Sequence, residues 1–252
     1  MISLRELVIY SDHLLESNAL PDYCPNGLQV EGREQVRRLV SGVSACRSLI
    51  EAAAGTGADL LLVHHGYFWK GEDARITGMK RARIKALLDA GISLLAYHLP
   101  LDVHPELGNN AQLALRLGFR VAGRFGRESG PAIGFHGVLD TPVAAAGLAE
   151  RVRRVLGRMP LHVPGRADPI RSVAWCTGAA QGYIEAAADL DVDAYLTGEV
   201  SEATVHVARE RGLHFFAAGH HATERYGVQA LGIHLAEHFG LEHHFVDIDN
   251  PA

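Results

Sequence analysis

Residues 36 to 65 align without a gap on residues 170 to 199, VRRLVSGVSACRSLIEAAAGTGADLLLVHH over IRSVAWCTGAAQGYIEAAADLDVDAYLTGE, and nine of the thirty positions are identical. Each copy reads as a β-branched strand, a turn, an Ala-rich helix containing IEAAA, and a second short apolar strand that stops at a turn. The likeness continues more loosely: GISLLAYHLPLD (residues 91 to 102) matches GLHFFAAGHHAT (residues 212 to 223), each a buried strand leading towards a helix. A β-α-β unit that occurs twice predicts an internally duplicated α/β fold, with sheets covered by helices on their faces. The Gly-rich segment from Gly123 to Gly137, which includes Gly126, Gly130 and Pro131, is the expected boundary, giving residues 1–125 and 126–252 as the two repeats. After it, a strand is expected to lead into a helix started by Thr141 or Pro142, then a loop from Met159 to Pro169. HHFVDIDNPA is expected to be a last strand running to the end.

Composition removes several classes of function. The 252 residues suffice for cores that need no covalent staples, and Cys24, Cys46 and Cys176 form neither a CxxC pair nor a disulfide framework, which fits a reducing cytoplasm. A net charge of −5, with no run of like charges, argues against a nucleic-acid backbone or an anionic membrane as partner. The apolar stretches Leu60 to Val63 and Ile92 to Leu101 fall far below the ~18 residues of a membrane span. The N-terminal MISLRELVIYSDHLLES carries Arg5, Glu6 and Asp12 and reads as an amphipathic helix, so a soluble chain without an export signal is expected.

The unusual count is that of histidine, 15 residues, several of them adjacent in pairs. In parallel sheets, ligands gather beyond the carboxyl ends of the strands, so the strand tips are where these imidazoles matter. One tip carries His64, His65 and Gly66. Neighbours on a regular strand point to opposite faces, so both rings converge only if the strand has already broken there. The next tip carries His98, Asp102 and His104, and Asp102 lies among apolar residues, where an ionised carboxylate needs a cation or hydrogen bonds. Taken alone, Asp102 also fits a cap for the helix expected near Asn109 to Leu117. At the matching tip of the second repeat, His220 and Glu224 stand four apart on a helix beginning near His220 and so share a face. Glu224 alone also suits the first turn of that helix as a complement to its dipole.

Three imidazoles and two carboxylates exceed the needs of one tetrahedral ion and suit two. Such N and O donors accept Zn, Mn, Fe, Co or Ni without choosing among them.

The segments CPNGLQVEG (24–32), LLVHHG (61–66), HLPLDVHPELGNN (98–110), TGEVSEATVH (197–206) and GHHATERYG (219–227) together resemble the signature blocks of the NGG-interacting-factor-like family. Its bacterial YbgI-type members are dinuclear-metal proteins often labelled GTP cyclohydrolase 1 type 2-like. The resemblance implies two interlinked α/β domains and a toroidal homohexamer with two divalent ions per subunit facing a cavity. The ligands it implies fall on His64, His65, Asp102, His220 and Glu224, the same five reached from the strand tips. Members usually carry an Asp or similar polar residue before NGLQV, where this chain has Cys24 and Pro25, so that loop is given no role beyond shaping the site wall.

Glu199 stands where the first repeat has His65, and reads as an acid that orients a ligand imidazole, as a general acid/base, or as a helix-start carboxylate. His98 is the other candidate proton carrier, and His206 a further cavity candidate. Tyr67, Phe68 and Trp69 line a pocket for a flat base or simply pack. Two functions follow as expectations. One is a metal-dependent hydrolase of the GTP cyclohydrolase 1 type 2-like class, acting on a small-molecule substrate through metal-activated water. The other is a non-catalytic hexameric metal-binding scaffold or metallochaperone. No Walker loop is present, so a triphosphate would rest on the metals or on arginines such as Arg75, Arg81 or Arg225.

Overall fold

The computed structural model describes residues 1–126 and 131–252. The chain folds as two compact units. Unit 1 comprises residues 1–108 and 227–249, and unit 2 comprises residues 109–226 and 250–252.

In unit 1, β1 (Ile2–Ser3) leads into helix α1 (Leu4–Leu14), where the Ser3 side chain accepts from the Glu6 N–H and Leu4 and Leu7 turn inward. Then follow β2 (Gly27–Val30), β3 (Gln35–Val36), β4 (Arg38–Ser44), α2 (Arg47–Gly55), β5 (Leu60–His65), α3 (Gly78–Ala90), β6 (Ser93–Ala96) and α4 (Leu99–Val103). Strands β4, β5 and β6 run parallel, as the repeat predicts, and β2 closes one side antiparallel to β6. Leu60, Leu61, Leu62 and Val63 are all buried, with Leu61 and Val63 in one apolar cluster and Leu60 and Leu62 in another. A strand covered on both faces reads as a continuous apolar run for this reason.

Unit 2 begins with α5 (Asn109–Leu117), β7 (Phe119–Phe125), β8 (Gly134–Val143), α6 (Ala145–Leu156), β9 (Leu161–Val163) and β10 (Ile170–Cys176). A 3-10 turn at Gln181–Tyr183 precedes α7 (Ile184–Ala188), then β11 (Ala194–Thr197), α8 (Glu202–Arg211) and β12 (His214–Ala217). Its parallel core is β10-β11-β12, the counterpart of β4-β5-β6. One apolar cluster gathers around Trp175, whose indole N–H donates to Asn110 O at 3.0 Å. Helix α9 (His220–Phe239) starts in unit 2 and carries the chain back into unit 1, where β13 (Glu242–Phe245) pairs parallel with β4.

Several sequence expectations are corrected. The expected boundary at 125/126 falls between two paired strands, since Phe119–Phe125 pairs antiparallel with the strand that opens at Gly134, and the compact units divide instead after residues 108 and 226. Gly130 lies outside the described residues. Thr141 and Pro142 remain in β8, and α6 starts at Ala145 after Ala144. The loop expected from Met159 to Pro169 contains β9, an edge strand antiparallel to β12. The last strand stops at Phe245 instead of running to the end.

Candidate metal centre

The candidate ligand cluster of unit 1 is built where β5 and β6 end. His64 is fully buried, and its Nδ1 lies 2.9 Å from the Tyr97 carbonyl oxygen. A carbonyl only accepts, so Nδ1 carries the hydrogen and the neutral ring keeps its lone pair on Nε2, which lies 3.6 Å from Asp102 Oδ1. His65 Nδ1 is held 3.0 Å from Ser44 Oγ. The expected break in the strand is not there, because His65 still pairs with Ser44 across the parallel ladder. A pleat alone would send the two rings to opposite faces, yet their centroids stand 4.6 Å apart, each turned by its own Nδ1 bond.

Asp102 is buried in the short helix α4, whose N-cap residue His98 makes no side-chain cap bond. The missing cap comes from outside the helix. Asp22 Oδ2 accepts the Leu99 N–H at 2.9 Å and Asn26 Nδ2 at 2.9 Å, while Oδ1 accepts from His98 Nδ1 at 2.7 Å and from the Tyr23 N–H at 2.6 Å. Asn26 Oδ1 in turn accepts the His98 N–H at 2.8 Å. Burial works against the Asp22 charge, but His98, Asn26 and the Tyr23 amide outweigh it and hold the pKa down to about 2. Cys24 has ligand-type atoms near those of Asp22 and His98, but burial and the Asp22 charge push its thiol up to about 12. With four donors on its carboxylate, Asp22 holds both His98 and the start of α4 in place. The loop before NGLQV therefore does more than shape a wall.

Gln29 extends that scaffold: its Oε1 accepts the Tyr67 N–H at 2.7 Å, and its Nε2 donates to Pro25 O and Tyr67 O. A Cβ at Gly66 would lie 2.1 Å from Gln29 Oε1, which explains the glycine after the histidine pair. Tyr67 is buried with its hydroxyl on Ala45 O, so it packs into the core, whereas Trp69 meets the His98 ring edge-on at 5.0 Å.

Unit 2 presents the second donor set. His220 opens α9 and Glu224 follows one turn later, beyond the first turn that the sequence suggested for it, with His220 Nε2 3.2 Å from Glu224 Oε2. His220 Nδ1 lies 2.7 Å from Glu199 Oε1, and Glu199 Oε2 accepts from Gln181 Nε2 at 3.3 Å. Burial opposes a charge on His220, yet hydrogen bonds and charge from Glu224, then Glu199, prevail and lift its pKa to about 9. A positive charge is thus favoured between His220 and Glu224, and a divalent ion there would take the proton's place. Glycine makes the room. Gly178 has φ +72°, and a Cβ on it would lie 2.1 Å from Glu224 Oε1; a Cβ on Gly198 would lie 2.7 Å from the His220 Cα.

The structure thus brings His64, His65, His98 and Asp102 together on unit 1 and His220, Glu224 and Glu199 together on unit 2. Glu199 Oε1 meets His220 Nδ1, a contact suited to orienting an imidazole. His206 is exposed on α8, apart from these clusters. Sequence reasoning missed Asp22, Asn26, Ser44 and Gly178. The repeated Thr-Gly pair at the tips of β10 and β11, Thr177-Gly178 and Thr197-Gly198, was the available signal for Gly178.

A family model described as Duf34/NIF3 (NGG1p interacting factor 3) matches residues 2–251. A Pseudomonas aeruginosa protein named GTP cyclohydrolase 1 type 2 homolog is 59% identical over 251 residues, covering 100% of this chain and 99% of that protein. Among solved structures, protein ybgI, described as of unknown function, is 50% identical with a TM-score of 0.96, and a Thermus thermophilus protein is 35% identical with a TM-score of 0.89. Both alignments cover 100% of each chain.

Proposed function

The chain belongs to the Duf34/NIF3 (NGG1p interacting factor 3) family, and from that premise we propose that it holds two divalent ions per subunit and uses them as a hydrolase of the GTP cyclohydrolase 1 type 2-like class. The observation that carries the reading is the anchoring of the imidazoles. His64, His65 and His220 are each tied through Nδ1 to an oxygen, of Tyr97, Ser44 and Glu199 respectively, and Asp102 and Glu224 stand within 3.6 Å and 3.2 Å of the Nε2 atoms of His64 and His220. That is how proteins fix metal-ligating imidazoles. The donor set of His64, His65, Asp102, His220 and Glu224 carries nitrogen and carboxylate oxygen without thiolate, which suits Zn, Mn, Fe, Co or Ni. Five donors leave positions open on two ions, and open positions favour catalysis over a closed structural site.

Ions held there supply Lewis acidity, lowering the pKa of water and polarising the electrophile. The chain's own residues do the rest. Asp102 and Glu224 bring negative charge into buried positions, Tyr97 O fixes the His64 tautomer, and Glu199 holds the hydrogen on His220 Nδ1. The Glu199 side chain is 39% exposed, so it is the acid/base of this set able to exchange protons with bulk water. For a GTP substrate, hydrolysis at guanine C8 opens the imidazole ring and releases formate. Arg75 is bound to Asp73 and Arg225 to Leu156 O, which leaves the exposed Arg81 as the freest of the three arginines to meet phosphate. Assembly into a homohexamer is part of the proposal and is checked by native mass spectrometry.

The direct test is mass-spectrometric detection of formate and pterin product from GTP, with Mn- or Zn-loaded protein beside Glu224→Gln. Turnover that disappears in the variant supports a metal-dependent cyclohydrolase. No turnover from wild type with two ions bound removes GTP as substrate, turns the search to other hydrolysable substrates and puts the metal-binding scaffold on an equal footing.

A further inference from the structure

We propose that Trp69 and Tyr23 form a stacking subsite on unit 1 for a flat heteroaromatic ring, the purine base of a nucleotide. The proposal rests on the metal-dependent hydrolase reading above and names the side chains that recognise its substrate. Both side chains stand against His98: the Trp69 ring centroid lies 5.0 Å from that imidazole and the Tyr23 centroid 6.3 Å. Trp69 also stands 5.9 Å from His65, one of the five donors, so a base stacked on it is brought to the metal centre. These pairs are tilted or edge-on, between 53° and 83°, and none is a face-to-face stack that would occupy the aromatic faces. Tyr23 is 59% exposed and Trp69 half-buried, so both are open to a ligand.

The segment that presents Trp69 is strained and held. Phe68 has φ +66°, a left-handed conformation that a bulky residue adopts only where its surroundings impose it, and such strain gathers at ligand-binding segments. Lys80 Nζ lies 5.0 Å from the centroid of the Phe68 ring, the same ammonium pairs with Glu72 at 3.2 Å, and Glu72 Oε2 accepts the Trp69 N–H at 3.1 Å. The Trp69 indole N–H donates to Gly66 O at 3.2 Å, so the side chain offers a ligand its π face and not a donor. Tyr23 O accepts the Lys70 N–H at 2.6 Å, which ties the loop of Tyr23 to that of Trp69. A π face ordered before the ligand arrives loses little freedom on binding, and stacking accepts any base.

The test measures binding of guanosine 5′-monophosphate by isothermal titration calorimetry, beside ribose 5-phosphate, the same sugar phosphate without a base, on manganese-loaded and on metal-free protein. Wild type, Trp69→Leu, Trp69→Phe and Tyr23→Ala are compared, with metal content and thermal melts recorded for each. Wild type is expected to bind the nucleotide at least ~10-fold more tightly than ribose 5-phosphate. Trp69→Leu is expected to lose about 10-fold for the nucleotide and nothing for ribose 5-phosphate, and Tyr23→Ala a smaller part of the same preference. Trp69→Phe keeps an aromatic face and is expected to retain most of it, and metal content is expected to stay at the wild-type value throughout. The chain has two tryptophans and Trp175 is fully buried, so quenching of tryptophan fluorescence by the nucleotide reports on Trp69. If Trp69→Leu does not fold, that quenching and Tyr23→Ala decide. Equal affinity for the two ligands, or wild-type affinity for the nucleotide in Trp69→Leu, would overturn the subsite and, with two ions retained, leave the metal-binding reading intact. A wild type that retains no ions would overturn the metal-binding reading, and the metal-free titration then decides the subsite by itself.

Discussion

Replacing Gly178 with alanine places a methyl group 2.1 Å from Glu224 Oε1, on a residue whose φ is +72°. Glu224 has to move. The substitution is expected to lower metal affinity at least ~10-fold and to cost about 1–2 kcal/mol of stability from the left-handed backbone, read by chelator competition and thermal melts. Ser44→Ala removes only the anchor behind His65, and a smaller loss of affinity, of the order of tenfold, is expected with an unchanged melting temperature. The ligand-type residues were legible in the sequence because histidine and acid pairs stand out at strand tips. Their supports were not: Asp22 and Asn26 are 76 and 72 positions from His98, a separation across which spacing and periodicity carry no signal. Cys24 shows the same limit, since its burial and the nearby Asp22 charge, which keep the thiol protonated, exist only in the fold.

At the level of elements, the repeat foretold both parallel triads, β4-β5-β6 and β10-β11-β12, because alternation of apolar strands with Ala-rich helices is a local pattern. The misplaced features depend on long-range pairing. The glycines of 123–137 look like a linker, but Gly137 sits opposite Val121 in a ladder where a Cβ would strike the Arg120 carbonyl at 2.0 Å. β13 joins β4 after more than 190 intervening residues, and one consequence is testable. His243 on β13 is bound to Ser41 Oγ at 2.8 Å, and burial, with the charge of His244, lowers its pKa below the ordinary 6.5. His162 on β9 is lowered in the same way by burial and His214. The unfolded chain therefore binds protons first as pH falls. Stability from these groups is complete above about 6.5 and declines as pH drops through that value towards the folded pKa. Below about pH 6.5, where the opposing contribution of His220 with its raised pKa is already complete, denaturant melts down to pH 5.5 are expected to show that decline, with a shallower slope in His243→Asn; an identical slope would exclude His243 as a contributor.

For the whole molecule, the chain path matters more than the repeat. Unit 1 is made from two stretches that flank unit 2, and α9 carries the chain from one to the other, so the duplicated sequence halves and the compact units do not coincide. The donor residues divide in the same way, His64, His65 and Asp102 with unit 1 and His220 and Glu224 with unit 2. Neither set alone supplies five donors, and the proposal of two ions per subunit rests on both. The measurement that tests this most directly is the metal content per chain of purified, metal-loaded protein by inductively coupled plasma mass spectrometry, for wild type, Asp102→Asn and Glu224→Gln. The account predicts about two ions per chain in wild type and a clear loss in each folded variant. An unchanged metal content in both variants would contradict it.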